Sequence, residues 1–170
     1  MMSNETKQCR LVWRRIATAA AVAGAMSFAA AAASAGECPA DKRVADGQGQ
    51  KPGPTAPKDV ADVVRATTDL AKEPLALKGR QFRLRQLDMK PGSIVPWHSH
   101  GNRPAMIYIV SGEVIEYASH CAVPIVHKAG DVAPEAKGTS HWWENKSKGA
   151  VRLISVDLFP VADKKNEKMM

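Results

Sequence analysis

From residue 80 to residue 160 the sequence is a series of short runs rich in β-branched and aromatic residues, each bounded by glycine or proline. No amphipathic helix pattern lies between them. Such runs predict strands, here over 81–89, 93–100, 105–110, 113–118, 125–127, 141–145 and 150–159. Many short strands without intervening helices favour an all-β antiparallel sandwich or barrel.

The segments that flank this region have different compositions. Residues 36–58 are rich in glycine and proline, which predicts an extended lead-in. Residues 59–72 have apolar positions at helical spacing but a β-branched content that favours a strand, so both structures remain open there. The barrel is assigned to 59–160, and 161–170 form a charged tail.

Residues 1–35 have the pattern of a cleavable signal peptide. A basic start is followed by an alanine-rich apolar stretch, and Ala33-Ser34-Ala35 is a small-residue cleavage site before Gly36. An uncleaved anchor helix is the alternative, although the apolar stretch is short for a membrane span. Arg14 and Arg15 leave the twin-arginine route open beside the general secretory route. The expected location is periplasmic or secreted.

Charge and composition exclude several classes of protein. The chain has a formal charge of +7 and is 45% hydrophobic, which excludes a disordered protein. Removal of the signal takes away four basic residues and one acidic residue, so the remaining charge is +4. Because no run of five like charges remains, neither nucleic acid nor, after cleavage, a membrane is expected as a partner.

Cleavage would also remove Cys9 and leave Cys38 and Cys121. An exported chain is oxidised outside the cytoplasm, where two cysteines are free to pair. We therefore predict a Cys38–Cys121 disulfide that ties the start of the mature chain to the barrel.

The histidines suggest a metal site. His98 and His100 are two residues apart on a predicted strand, so both side chains point to the same face. Two imidazoles on one face chelate a metal well when a third ligand arrives from elsewhere. By the same alternation, His141 shares a face with Trp143 and Asn145. His120 and His127 are interpreted as surface and structural residues.

Two spaced motifs surround these histidines. The first runs from Gly92 through His98 and His100 to Gly112, and the second from Gly130 through Gly138 and His141 to Asn145. Both resemble the paired motifs of the cupin superfamily, in particular small exported single-domain cupins. The resemblance implies a double-stranded β-helix, or jelly-roll barrel, that holds a divalent metal through His98, His100 and His141.

One departure from the cupin pattern concerns the metal directly. The glutamate that usually supplies a fourth ligand is replaced by Ala105, and neither Glu113, Glu116 nor Glu144 fits its place by spacing. Three neutral imidazoles should weaken binding of Mn relative to Zn, Fe, Ni or Cu, and should make a bound water more acidic. The identity of the metal stays open, as does whether Ala105 abolishes binding.

Three side chains are candidates for a substrate pocket. Arg103 would be a cation at the rim of the pocket that could bind an anionic substrate. Trp143 would line the pocket because it shares the strand face of His141. Tyr108 either lines the pocket or packs within the barrel. The leading hypothesis is a metalloenzyme that activates water or dioxygen on a small organic molecule, with no catalytic residue identified. A non-catalytic module that binds a small ligand or metal is the alternative. Pairing of two barrels as a homodimer is a further hypothesis.

Overall fold

The computed structural model describes residues 36–136 and 138–161. The predicted signal peptide at 1–35 and all but the first residue of the predicted tail lie outside this range. Within the described ranges, no helix has the length and apolar character needed to cross a membrane.

Antiparallel strands dominate the described residues, which confirms the prediction of an all-β fold. The strands are β1 Lys58–Asp69, β2 Arg80–Ser99, β3 Ala105–Ser111, β4 Glu113–Ala118, β5 Ile125–Lys128, β6 Val132–Glu135, β7 Ser140–Glu144 and β8 Val151–Pro160. The open choice at 59–72 is resolved in favour of a strand. One four-residue strand, β6, has no counterpart among the predicted runs.

The long strand β2 joins two runs that the sequence analysis separated at Pro91-Gly92. Hydrogen bonding continues through this dipeptide, but the register with β1 jumps from Met89 to Ile94. Gly92 has a φ of 76°, in the left-handed region that residues other than glycine rarely adopt. Its N–H donates to the carbonyl oxygen of Asn145. The strand therefore bends at Gly92 instead of ending there.

This bend lets β2 belong to two walls of a nearly closed barrel. Its first half pairs with β1 and β8, and its second half pairs with β7. The strand order is β5-β4-β7-β2-β8-β3-β6, with β1 added beside β2. Alternate side chains point inward, and the apolar core is Leu87, Met89, Val95, Ile107, Ile109, Val114, Ala133, Trp143, Val151 and Leu153.

The segment before β1 is attached to the barrel by a covalent bond. Cys38 and Cys121 form a disulfide, which confirms the predicted pair. Both residues are buried with Ala118 and Ile125 in a second apolar cluster. Backbone hydrogen bonds from Val44 and Gly49 to the carbonyls of residues 119–120 hold the same segment against the barrel.

Candidate metal centre

The barrel brings the three predicted histidines together. His98 lies near the end of β2 and His100 just beyond it, while His141 is the direct cross-strand partner of His98 on β7. The Nε2 atom of His98 is 3.0 Å from Nε2 of His100 and 3.0 Å from Nε2 of His141. His100 and His141 are buried, whereas His98 is partly exposed. The group therefore reaches solvent on the side of His98.

Backbone carbonyls orient two of the three rings. Nδ1 of His98 is 2.8 Å from the carbonyl oxygen of Pro96, and Nδ1 of His100 is 2.8 Å from that of Arg103. A carbonyl oxygen only accepts, so each Nδ1 carries the hydrogen and each Nε2 keeps its lone pair. Burial and the neighbouring His141 lower the pKa of both rings, to about 3 for His100. Both imidazoles are therefore neutral at physiological pH.

A carboxylate orients the third ring. Nδ1 of His141 donates to Oε1 of Glu116 at 2.6 Å, and Oε1 of Glu135 lies 3.2 Å from the same nitrogen. Burial opposes protonation of His141, but the charge of Glu135 and the hydrogen bond to Glu116 outweigh it and raise its pKa to about 10. In the metal-free protein Nε2 of His141 thus carries a proton, which it donates to Nε2 of His98.

Glu116 is itself fixed from a second side. Its Oε2 accepts from Nε2 of His127 at 2.8 Å, and the His127 ring stacks on Trp143 with ring centres 4.6 Å apart. Burial raises the pKa of Glu116, but the hydrogen bonds from both histidines outweigh it and bring the pKa well below its ordinary value. Glu116 is therefore an ionised, buried carboxylate that holds two rings at once. His127 has the structural role predicted for it.

Neither Glu116 nor Glu135 emerged from the sequence as part of the site. The spacing of Glu116 gave it no place as a fourth ligand, and in the structure it contacts the Nδ1 side of His141, away from the converging Nε2 atoms. The alternation within 113–118 was the available signal, since it points Glu116 inward with Val114 and Ala118. Glu135 lies on β6, the strand that the sequence analysis missed.

The three candidates for a substrate pocket lie in different surroundings. Trp143 is buried, and its Nε1 lies 3.0 Å from Nδ1 of His141. Tyr108 is 46% exposed because alternation on β3 points Ile107 and Ile109 inward instead. Tyr108 therefore does not pack within the barrel, and its place in a substrate pocket stays a prediction.

Arg103 also departs from its predicted role as a cation at the rim. It is buried, and its Nη1 lies 3.7 Å from Oδ2 of Asp157. Asp157 is bound mainly by Arg83, through contacts of 3.0 and 2.7 Å. Arg103 thus belongs to a buried ion-pair group, because the carboxylate that attracts it comes from β8, far away in the sequence.

The donor set fits a divalent transition metal. One ring nitrogen of each histidine lies within 4.8 Å of the others, close enough for the three to hold a single ion, and imidazole nitrogens suit Zn, Fe, Ni or Cu. The three histidines form one group that could hold a metal, and Glu116, Glu135 and His141 form a second.

The sequence of residues 85–157 matches the family Cupin_2, the cupin domain. These residues form a cupin domain. The match covers most of β2 through β8 and includes His98, His100 and His141, so the resemblance inferred from the two motifs is confirmed. Cupin domains commonly bind metal ions, in agreement with the two groups of side chains that could hold one.

Several solved structures are similar to this chain at low sequence identity. A Thermotoga maritima protein described as a predicted oxalate decarboxylase has a TM-score of 0.51 and 19% identity, covering 72% of this chain and 98% of that one. The cupin domain of Schizosaccharomyces pombe Cnp3 has a TM-score of 0.49 and 17% identity, covering 66% and 74%. A Cupin 2 conserved barrel protein of Salinispora arenicola has a TM-score of 0.47 and 15% identity, covering 61% and 80%. No curated protein matches the chain.

Proposed function

We propose that this cupin holds one divalent transition metal through His98, His100 and His141 and acts on a small organic molecule by activating water or dioxygen. The observation that carries the proposal is the convergence of the three Nε2 atoms, while each Nδ1 is held by an oxygen acceptor. A ring whose second nitrogen donates to a carbonyl or carboxylate is oriented as a ligand and made more basic.

Residues around the three histidines would support this chemistry by orienting a ligand, excluding water and leaving an approach for a small molecule. A bound divalent metal supplies a Lewis acid that acidifies water or binds dioxygen. Glu116 holds the proton on Nδ1 of His141, which reserves Nε2 for the metal. Trp143 and the apolar core close the inner side of the site to water, whereas the partly exposed His98 leaves an approach for a small molecule.

Metal analysis of the purified chain tests the proposal. We expect about one ion per chain after reconstitution with Fe, Mn, Co, Ni, Cu or Zn, and negligible metal in a His98→Ala/His141→Ala variant. His120→Ala is the matched control, because His120 is a histidine of the same barrel outside both metal-binding groups. Equally negligible metal in the wild type and the double variant would refute the proposal. Binding without metal-dependent turnover would favour the non-catalytic module.

We also propose that the chain is exported, to the periplasm or beyond the cell. The Cys38–Cys121 disulfide supports this, since such bonds persist mainly in oxidising compartments. Mass spectrometry of protein expressed from the full sequence should show a mature N-terminus at Gly36 and no free thiol. An intact N-terminus on protein that remains in the cytoplasm would contradict export.

A further inference from the structure

We infer that cleavage of the signal peptide gives His127 a hydrogen-bond donor, the α-ammonium group of Gly36, and so connects the mature N-terminus to the candidate metal centre. This inference rests on the proposed export and metal site, since cleavage before Gly36 creates the ammonium group. Gly36 is buried. A positive charge at a buried chain end is costly unless acceptors surround it.

Gly36 lies against the ring of His127. A Cβ atom added to Gly36 would be 2.7 Å from Nδ1 of His127, and 3.5 Å from Cγ of Asp131. The backbone nitrogen of a residue is about 2.5 Å from its Cβ position, so the nitrogen of Gly36 is within about 5 Å of that Nδ1. After cleavage no preceding residue holds this nitrogen, and rotation about the Cα–C bond of Gly36 moves it toward the ring.

One nitrogen of His127 lacks a partner. Its Nε2 donates to Oε2 of Glu116 at 2.8 Å, so Nδ1 of the neutral ring is an acceptor. The side chain is fully buried, yet Nδ1 has no hydrogen-bond partner among the described residues. Buried polar atoms are nearly always paired. The ammonium group of Gly36 is the donor that this nitrogen lacks.

The cavity beside Gly36 favours a positive charge. It has a volume of about 270 Å³, and its lining includes the carboxylates of Glu37, Glu116 and Glu135 but one guanidinium, that of Arg43. Arg43 is already paired with Glu37 at 2.7 Å. Oε2 of Glu135 is buried and has no hydrogen-bond partner within the described ranges. An ammonium group at Gly36 therefore adds a positive charge where negative charge is in excess.

The disulfide keeps Gly36 in this position. Cys38 is two residues further along the chain, is bonded to Cys121 and packs in the second apolar cluster. Two residues span at most about 7 Å, so the new chain end stays near His127 once the signal peptide is gone.

A path of hydrogen bonds then runs from the chain end to the candidate metal centre. The ammonium group of Gly36 donates to His127, Nε2 of His127 donates to Glu116, and Glu116 accepts from Nδ1 of His141 at 2.6 Å. The uncleaved chain has a neutral amide at Gly36 in place of the ammonium group. Cleavage is therefore expected to fix Glu116 more firmly and to strengthen metal binding at His141.

Nitrogen NMR of histidine-labelled protein tests the hydrogen bond directly. The exported chain is compared with a variant that has one asparagine inserted between Ala35 and Gly36. Because the peptidase needs a small residue before the cut, cleavage stays after Ala35, which intact mass verifies. The insertion displaces the ammonium group by about 3.6 Å. We expect the Nδ1 resonance of His127 to show a hydrogen bond in the wild type and none in the variant.

His120 is the matched control for this spectrum. Its Nδ1 is also buried without a hydrogen-bond partner among the described residues, and it lines the same cavity as Gly36. We expect its resonance to be the same in both chains. An unbonded Nδ1 of His127 in a chain that begins at Gly36 would overturn the inference, and so would a bond to His120 in its place.

Competition titration with Zn²⁺ measures the effect on the metal centre. We expect the insertion variant to bind about three- to tenfold more weakly than the wild type, because the ammonium group acts through two other side chains. Equal, measurable affinities would overturn the connection to His141. A chain that begins at another residue would refute the proposed cleavage, and a wild type that binds no Zn²⁺ would refute the proposed metal site. Mass and titration distinguish these two failures from a missing hydrogen bond.

Discussion

Glu116 accepts a hydrogen bond from Nδ1 of His141 across 2.6 Å, and both side chains are fully enclosed by the barrel. The two residues lie on β4 and β7, which pair so that Ala118 is directly opposite His141. A histidine from one cupin motif is thus oriented by a carboxylate that belongs to neither motif.

Replacement of Glu116 by glutamine should weaken metal binding about 10- to 100-fold. The glutamine amide would present a donor to one of the two histidine nitrogens that now donate to the carboxylate. Competition titration with a metal chelator measures the loss, and the thermal unfolding of the apo form serves as the structural readout. Glu113→Gln on the same strand is the control. An unchanged affinity would show that Glu116 does not orient the ligand.

Metal binding at pH 7 should release about one proton. The pKa of His141 is raised to about 10, so this ring is protonated in the metal-free protein and must lose a proton to bind. His100, with a pKa lowered to about 3, and His98 are already neutral and release none. The apparent affinity should therefore rise about tenfold per pH unit from pH 6 to 9.

Calorimetric titration in buffers of different ionisation enthalpy counts these protons directly. Release of two or three protons would mean that His98 and His100 are also charged before binding. Release of none would mean that His141 is neutral despite its two carboxylate neighbours.

Loss of the buried ion pair should destabilise the barrel strongly. Arg83→Met leaves the Asp157 carboxylate buried and held only by the more distant Arg103, at a cost of about 3 kcal/mol in the free energy of unfolding. Arg152→Met is the control, because Arg152 and Asp88 form a pair whose side chains are 51% and 41% exposed, and it should cost at most about 1 kcal/mol. Urea unfolding measures both, and equal losses would contradict the argument.

Removal of the disulfide should cost about 2–5 kcal/mol in a Cys38→Ala/Cys121→Ala variant. The bond joins residues 83 positions apart and constrains the unfolded chain. Reduction should lower the melting temperature of the wild type and leave that of the variant unchanged. A wild type that is insensitive to reduction would show that the bond is not formed in solution.

Dimer formation is expected through the outer face of β3 and β6. Met106 is 64% exposed, and Tyr108 lies directly opposite Val132, which is 44% exposed. Contiguous apolar side chains on a strand surface are typical of protein–protein contacts. Light scattering should show a homodimer that Met106→Glu converts to a monomer. Val126→Glu, an exposed position on β5, should stay dimeric, and a monomeric wild type would refute the prediction.

Local patterns were enough to predict much of this molecule. Alternation along each strand is a property of neighbouring residues, so the sequence alone placed His98 with His100, and His141 with Trp143, on common faces. The use of glycine and proline as strand boundaries was wrong at Pro91-Gly92, where β2 continues through a glycine of positive φ. The cysteine pair was predictable because only Cys38 and Cys121 follow the predicted signal peptide.

The contents of the barrel interior were decided by pairings between distant strands. Glu116 meets His141 only because β4 pairs with β7, and Glu135 faces Ala105 only because β6 pairs with β3. Arg103 turned inward for a similar reason, since Asp157 comes from β8. Period-two alternation determines which face of its own strand a side chain occupies, but only strand register determines which side chain from another strand it meets. The sequence by itself thus identified the three histidines of the candidate site. The tertiary structure decided which carboxylates lie beside them, because those carboxylates come from other strands.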